Sequence, residues 1–200
     1  TSSRFKEGQN YQKIVPAQPT SAAEQVAPAF DDLMSPWTSA RPMPRIMASS
    51  LVKTTLARAM LRAMADDPQR CAEMYNRAVA SVPEARLVPL MIRDDYVELP
   101  LWRLRDDGTA GRMRAYDNDV ESAIGEEPQS SIANRQSSIP ALLPRALFMT
   151  ALIRLGVCDL FIHATGGARY DRAMERWMRD WLGVEVAPMA VVSATLRLPL

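Results

Sequence analysis

The spacing of apolar residues changes character twice between Cys158 and Gly183, and the rest of the chain is read around that change. Asp159 to His163 is a short, mostly apolar run bounded by a turn, and it predicts a largely buried strand. Gly166 and Gly167 then interrupt the pattern, because adjacent glycines cost backbone entropy and bring no side chain to pack. From Tyr170 the apolar positions Tyr170, Met174, Trp177, Met178, Trp181 and Leu182 share one face of a helix. The opposite face is charged, with Glu175 to Arg179 and Arg176 to Asp180 at the i,i+4 spacing of surface ion pairs. Gly183 is placed to end the helix in a left-handed conformation.

Upstream, apolar residues recur at threes and fours from Arg45 to Ala65 and predict one long helix. Asp67-Pro68 opens another, with the aspartate as N-cap and proline in the first turn, running to about Val82 with Cys71, Met74, Tyr75, Ala78, Val79 and Val82 facing inward. Leu87 to Ile92 reads as a short strand. Tyr96 to Leu104 and Arg112 to Tyr116 read as an antiparallel hairpin turning at Asp106 to Gly111, with Pro100 marking an edge strand or a bulge. Within the hairpin, Glu98, Trp102 and Arg103 are the tempting functional residues, although packing accounts for Trp102 and a cross-strand partner for Arg103. Pro144 is set for the first turn of an apolar helix from Arg145 to Leu155, and Met189 to Leu198 is a second strand that pairs with the first through the intervening helix, as a right-handed βαβ unit. These elements make an α/β domain: a small, mixed, Rossmann-like sheet flanked by helices, with an antiparallel hairpin. Residues 41–200 form the domain, residues 1–40 an extended arm pinned by Phe30, Leu33, Met34 and Trp37, and residues 118–138 a flexible loop or lid.

Composition narrows the function classes. Apolar residues at 48% and charged residues at 24% are globular values, and 24 basic against 23 acidic side chains leave a net charge of +1. That balance argues against a nucleic-acid partner. One histidine and two distant cysteines rule out a standard zinc site and suggest a reducing, cytoplasmic compartment. No apolar run is long enough to span a membrane. Ending directly after a core strand implies a further segment or a partner chain.

Candidate chemistry gathers where the strand passes through the glycines into the helix. Unpaired amides and the positive end of a helix dipole favour an anion there. Thr165, Gly166, Gly167 and Arg169 would hold a small anionic molecule or nucleotide, with His163 moving a proton and Asp171 or Tyr170 orienting it. Arg145 joins the ligand contacts because a cation at a helix N-terminus opposes the dipole and needs an acidic partner or a ligand, whereas Arg154 at the other end suits it. Equally, the glycines could serve close packing and the histidine a structural hydrogen bond. Three roles stay open: an enzyme, a ligand-binding module, and an interaction domain with Trp177 and Trp181 at an interface. Exposure of those tryptophans would favour the last, burial the first two. No cofactor can be named.

The run PRALFMTALIRLGVCDLFIHATGGARYD, with YNRAV, VELPLWRL and VVSATLRLPL, resembles a bacterial family of unassigned function that carries a DLFIHGxGGxxYD signature. Ala164 stands where that signature has glycine, which raises the question of a lost left-handed position. A more distant similarity of layout is to the cysteine-adding ligase of bacillithiol synthesis, through Leu143-Pro144-Arg145, Gly166-Gly167 and Tyr170. It would imply a Rossmann-like fold and ligation or transfer of an amino or thiol group to a small carboxylate. The Pro-Arg order is reversed relative to that family, and the acidic residue after its glycines is missing.

Overall fold

The computed structural model describes residues 48–104, 110–115 and 142–193, together with Asp32 and Ser35. Ile46–Leu200 cluster as one compact unit and Thr1–Arg45 as another. The expected arm, the loop at 118–138, the tip of the hairpin turn and the end of the last strand lie outside the described residues.

The predicted long helix is two helices, α1 (Ala48–Leu51) and α2 (Thr55–Asp66). Thr54 makes the break. Its hydroxyl donates to the Leu51 carbonyl at 2.7 Å and accepts from the Ala57 amide at 3.2 Å, so it closes one turn and caps the next helix. Asp67 caps α3 (Pro68–Ala80) as the Asp-Pro pair predicts, accepting from the Arg70 amide at 3.0 Å. A 3₁₀ turn at Pro83–Ala85 ends on Arg86, whose φ of 51° is the one left-handed non-glycine conformation among the described residues.

Leu87 to Ile92 is not a strand. Asn76 of α3 substitutes for a strand partner, its amide donating to the Leu90 carbonyl at 2.8 Å and its oxygen accepting from the Leu90 amide at 2.7 Å. Only Ile92 bridges, to Val97.

The hairpin forms, as β1 (Glu98–Leu104) and β2 (Ala110–Arg114), and a short β3 (Leu142–Pro144) pairs antiparallel with β1 on its other side. β1 is therefore central. Pro100 sits in it at a register shift between Leu99 and Trp102, the bulge rather than the edge. Pro144 closes β3, and α4 (Ala146–Gly156) begins after Arg145, one residue later than expected. The expected βαβ pairing is present: β4 (Phe161–Ala164) runs parallel to β5 (Met189–Val192), joined through α5 (Ala168–Leu182). Among the described residues the strands stay in two sheets, three antiparallel and two parallel, and do not merge into one mixed sheet. The molecule is α/β in content. β4 departs from the buried strand expected of it, because Ile162 is 64% exposed.

The core lies between α3, α4 and α5. Tyr75 meets Trp177 edge-on at 5.2 Å, and Trp177 stacks on Trp181 at 5.4 Å and 5°. Trp177 and Trp181 are both buried, which removes them as an exposed interface. Cys71 is buried beside this column, and burial pushes its thiol up, with the Trp177 indole pulling weakly the other way.

On α5 the inward face is Asp171, Ala173, Met174, Trp177, Met178 and Trp181, while Tyr170, expected inside, is exposed. Arg154 explains the exchange. It is buried at the end of α4 and bonds Asp171 Oδ2 at 3.3 Å, Glu175 Oε1 at 2.6 Å and the Ala187 carbonyl at 2.7 Å. Drawing Glu175 inward dissolves the expected Glu175–Arg179 pair; Arg179 turns to Glu185 at 3.0 Å, and Arg176–Asp180 forms at 3.4 Å. Gly183 ends α5 at φ 68°, as its position implies.

Arg154→Met should therefore cost about 3 to 5 kcal/mol in urea unfolding, since it leaves Asp171 charged and unpaired in the interior. Adding Asp171→Asn should return part of that loss. A cost below about 1 kcal/mol would show that Arg154 does not hold the α4–α5 junction together.

Candidate functional site

Two helix starts carry the polar side chains that matter. The first is the turn from β4 into α5. Gly167 donates its amide to the Ala164 carbonyl at 2.9 Å, closing the turn. A methyl group on Gly167 would lie 1.6 Å from His163 Cε1, so the glycine is there to let the imidazole lie against the backbone. Gly166 faces open space, and neither glycine has a positive φ. Ala164 is an ordinary strand residue, so no left-handed position is lost where the family signature has glycine.

His163 packs edge-on against Phe161 at 5.4 Å. Thr165, Arg169 and Tyr170 are exposed. Asp171 is fully buried in the first turn of α5, and its Oδ1 has no hydrogen-bond partner. Burial pushes the Asp171 carboxyl above its usual range, Arg154 and then His163 draw it back down, and Glu175 pushes it up. The turn thus brings His163 within electrostatic reach of Asp171 and leaves Tyr170 apart.

The second start is that of α4. Arg145 precedes it in extended backbone, its amide donating to the Pro100 carbonyl at 2.9 Å. Its guanidinium is buried, 2.8 Å from Glu98 Oε1 and 5.0 Å over the Trp102 ring. The acidic partner that the helix dipole calls for is Glu98. This carboxylate is itself buried, and its Oε2 accepts from the Met91 amide at 2.9 Å and from Arg112 at 3.1 Å. The sequence marks Glu98 as a candidate functional residue of the hairpin but names no partner for it. Its signal was an odd one, a charge between Val97 and Leu99.

Arg145 also lines a half-open cavity of about 270 Å³ with Tyr75, Arg86, Leu87, Val88, Trp102 and the first two residues of α4. Two arginines from different segments border it. No side chain caps α4, and no acid stands in its first turn, so that end keeps its unpaired amides. Arg86 has no ion-pair partner among the described residues. Tyr75 is held protonated, since burial raises its pKa against the opposing pull of Arg145. Neither His163 nor Asp171 lines the cavity. Of the residues expected to bind a ligand, Arg145 lines this cavity; Trp102, a tempting residue that packing accounts for in the sequence, lines it too, and Arg86 and Tyr75 are not singled out by the sequence as ligand contacts.

No protein-family model matches the chain, and no curated protein or solved structure matches it. Among the described residues no cluster of three histidine, cysteine, aspartate or glutamate side chains could hold a metal, and no helix is long and apolar enough to cross a membrane.

Two measurements check the α5 start. Gly167→Ala should destabilise the protein by displacing His163, and His163→Ala should remove most of that effect in a double-mutant cycle; additive losses would mean that the ring does not press on the glycine. Asp171 titrates with a raised pKa in the native state, so its stability contribution is complete below its ordinary value of 3.8 and is lost as pH rises through the native value. The urea midpoint of the wild type relative to Asp171→Asn should therefore fall between about pH 3.5 and neutrality. A rising difference would reverse the assignment.

Proposed function

We propose that the domain binds a small anionic ligand in the cavity at the start of α4. The observation that carries this reading is the convergence of Arg145, Arg86 and the uncapped first turn of α4 on one cavity with aromatic walls. Guanidinium forks match carboxylate and phosphate oxygens, and the amides of a helix start add donors and a favourable field. The cavity is smaller than the pockets that hold drug-sized molecules, which favours a small anion over a nucleotide. The parallel β4–α5–β5 unit supports a Rossmann-like reading of that part of the chain.

A second reading is transfer or ligation chemistry on a small carboxylate, with His163 moving the proton. It draws support from the electrostatic contact between His163 and Asp171. It would need the anion at Thr165, Gly166, Gly167 and Arg169 instead.

Thermal unfolding with phosphate, acetate and benzoate separates the two. A ligand at 100 times its Kd adds about 2.7 kcal/mol, which for a chain of this size raises Tm by roughly 5 to 10 °C. Arg86→Gln, an exposed change, should shrink that rise, and His163→Asn should leave it intact. A rise abolished by His163→Asn and indifferent to Arg86→Gln would move the anion to the start of α5. No rise with any of the three would end the proposal.

A further inference from the structure

We infer that the ligand of this cavity is a monocarboxylate carrying an apolar body about the size of one ring. The inference rests on the anion-binding reading above and narrows it.

Charge sets the first limit. Arg145 is neutralised from behind by Glu98 Oε1 at 2.8 Å, a contact buried on both sides. Glu98 spends its other oxygen on Arg112 and the Met91 amide, away from the cavity lining. Among the described residues, the cation of this lining left without a counter-charge is Arg86, which is exposed. One uncompensated guanidinium, with the dipole of α4 behind it, suits a single negative charge. A phosphate dianion or a polyphosphate would leave charge unpaired in a half-apolar hollow, which is costly.

The walls set the second limit. Leu147 and Tyr75 are buried, Trp102 and Leu87 are half-buried, and Val88 is 54% exposed although its side chain is purely apolar. Arg145 lies over the Trp102 ring, and both Trp102 and Tyr75 line the cavity. Aromatic edges and faces favour another flat ring at offset or perpendicular geometry. The exposed Val88 belongs to a segment held by Arg86, whose left-handed backbone costs energy unless its surroundings fix it. Arg86 and Val88 line the same cavity. A carboxylate at Arg86 and the first turn of α4 would thus extend its apolar body between Val88, Leu147 and Tyr75.

Isothermal titration of the whole chain with benzoate, cyclohexanecarboxylate, acetate and inorganic phosphate tests this. Benzoate should bind at least about tenfold more tightly than acetate, because its ring leaves water. It should also bind more tightly than phosphate. Arg86→Gln should weaken benzoate about tenfold. Val88→Glu, also on the surface, should abolish benzoate binding by placing a carboxylate at the rim, while circular dichroism reports an unchanged fold. Equal affinity for acetate and benzoate, or phosphate binding more tightly than benzoate, overturns the ring-bearing carboxylate and leaves the anion site standing. Cyclohexanecarboxylate matching benzoate supports the apolar body, since the inference requires ring size alone. Silence from all four ligands removes both the inference and the site.

Discussion

Glu98 is the group on which the candidate site depends. It places a carboxylate in the central strand of a three-stranded sheet, with 1% of its surface exposed. A carboxylate there is tolerated only if every oxygen is occupied by a donor, and three donors meet it: the Arg145 and Arg112 guanidiniums and the Met91 amide. Those donors come from three parts of the chain: the start of α4, the neighbouring strand, and the segment leading from α3. Satisfying one buried charge therefore fixes where α4 begins relative to the sheet. Arg145 is left with one edge on Glu98 and its plane on Trp102, which holds a long, flexible side chain in a single orientation. A binding group so held needs little ordering when a ligand arrives.

The second buried ion cluster works differently. Arg154 meets two acids and a carbonyl, yet Asp171 Oδ1 still lacks a partner, so the junction of α4 and α5 keeps an unspent polar atom inside. Around Glu98 the donors and acceptors balance; around Asp171 they do not. Burial raises the Asp171 carboxyl, and Arg154 and then His163, across the turn, draw it back down. Stability near α5 is accordingly tied to protonation, while the geometry near α4 is held by a satisfied network.

Much of the secondary structure could be read from local chemistry. Asp67-Pro68, Gly183 and the hairpin follow from capping, turn and periodicity rules that act within a few residues, and the parallel pairing of β4 with β5 from the crossover rule for a strand, a helix and a strand in succession. The misreadings have long-range causes. Thr54 breaks a helix that periodicity alone continues, because a hydroxyl can outbid the backbone. Asn76 replaces a strand partner from across the fold, and Arg154 turns Asp171 inward and Tyr170 outward against the apolar pattern. Of the site, Arg145 was legible because a cation at a helix start contradicts the dipole and demands an explanation. Arg86 and Tyr75 were not, since nothing in an exposed arginine or a core tyrosine says that they border the same hollow.

The two long helices that begin near polar clusters also explain why the anion reading moves from one to the other. Both present unpaired amides and a positive dipole end. At α5 that field already has an occupant, because Asp171 lies in the first turn, fully buried. Neither helix has a side-chain cap, but the first turn of α4 holds no acid, and the residue before it is an arginine that a separate carboxylate has already accommodated. A helix start that carries its own counter-charge has little left to offer a ligand. One that carries a cation, and has been relieved of the resulting repulsion from behind, presents its full field to whatever enters the cavity. Paired glycines mark a turn, and the chain uses this one for packing; on the proposed reading, the receptive corner is the one where the local rule is broken.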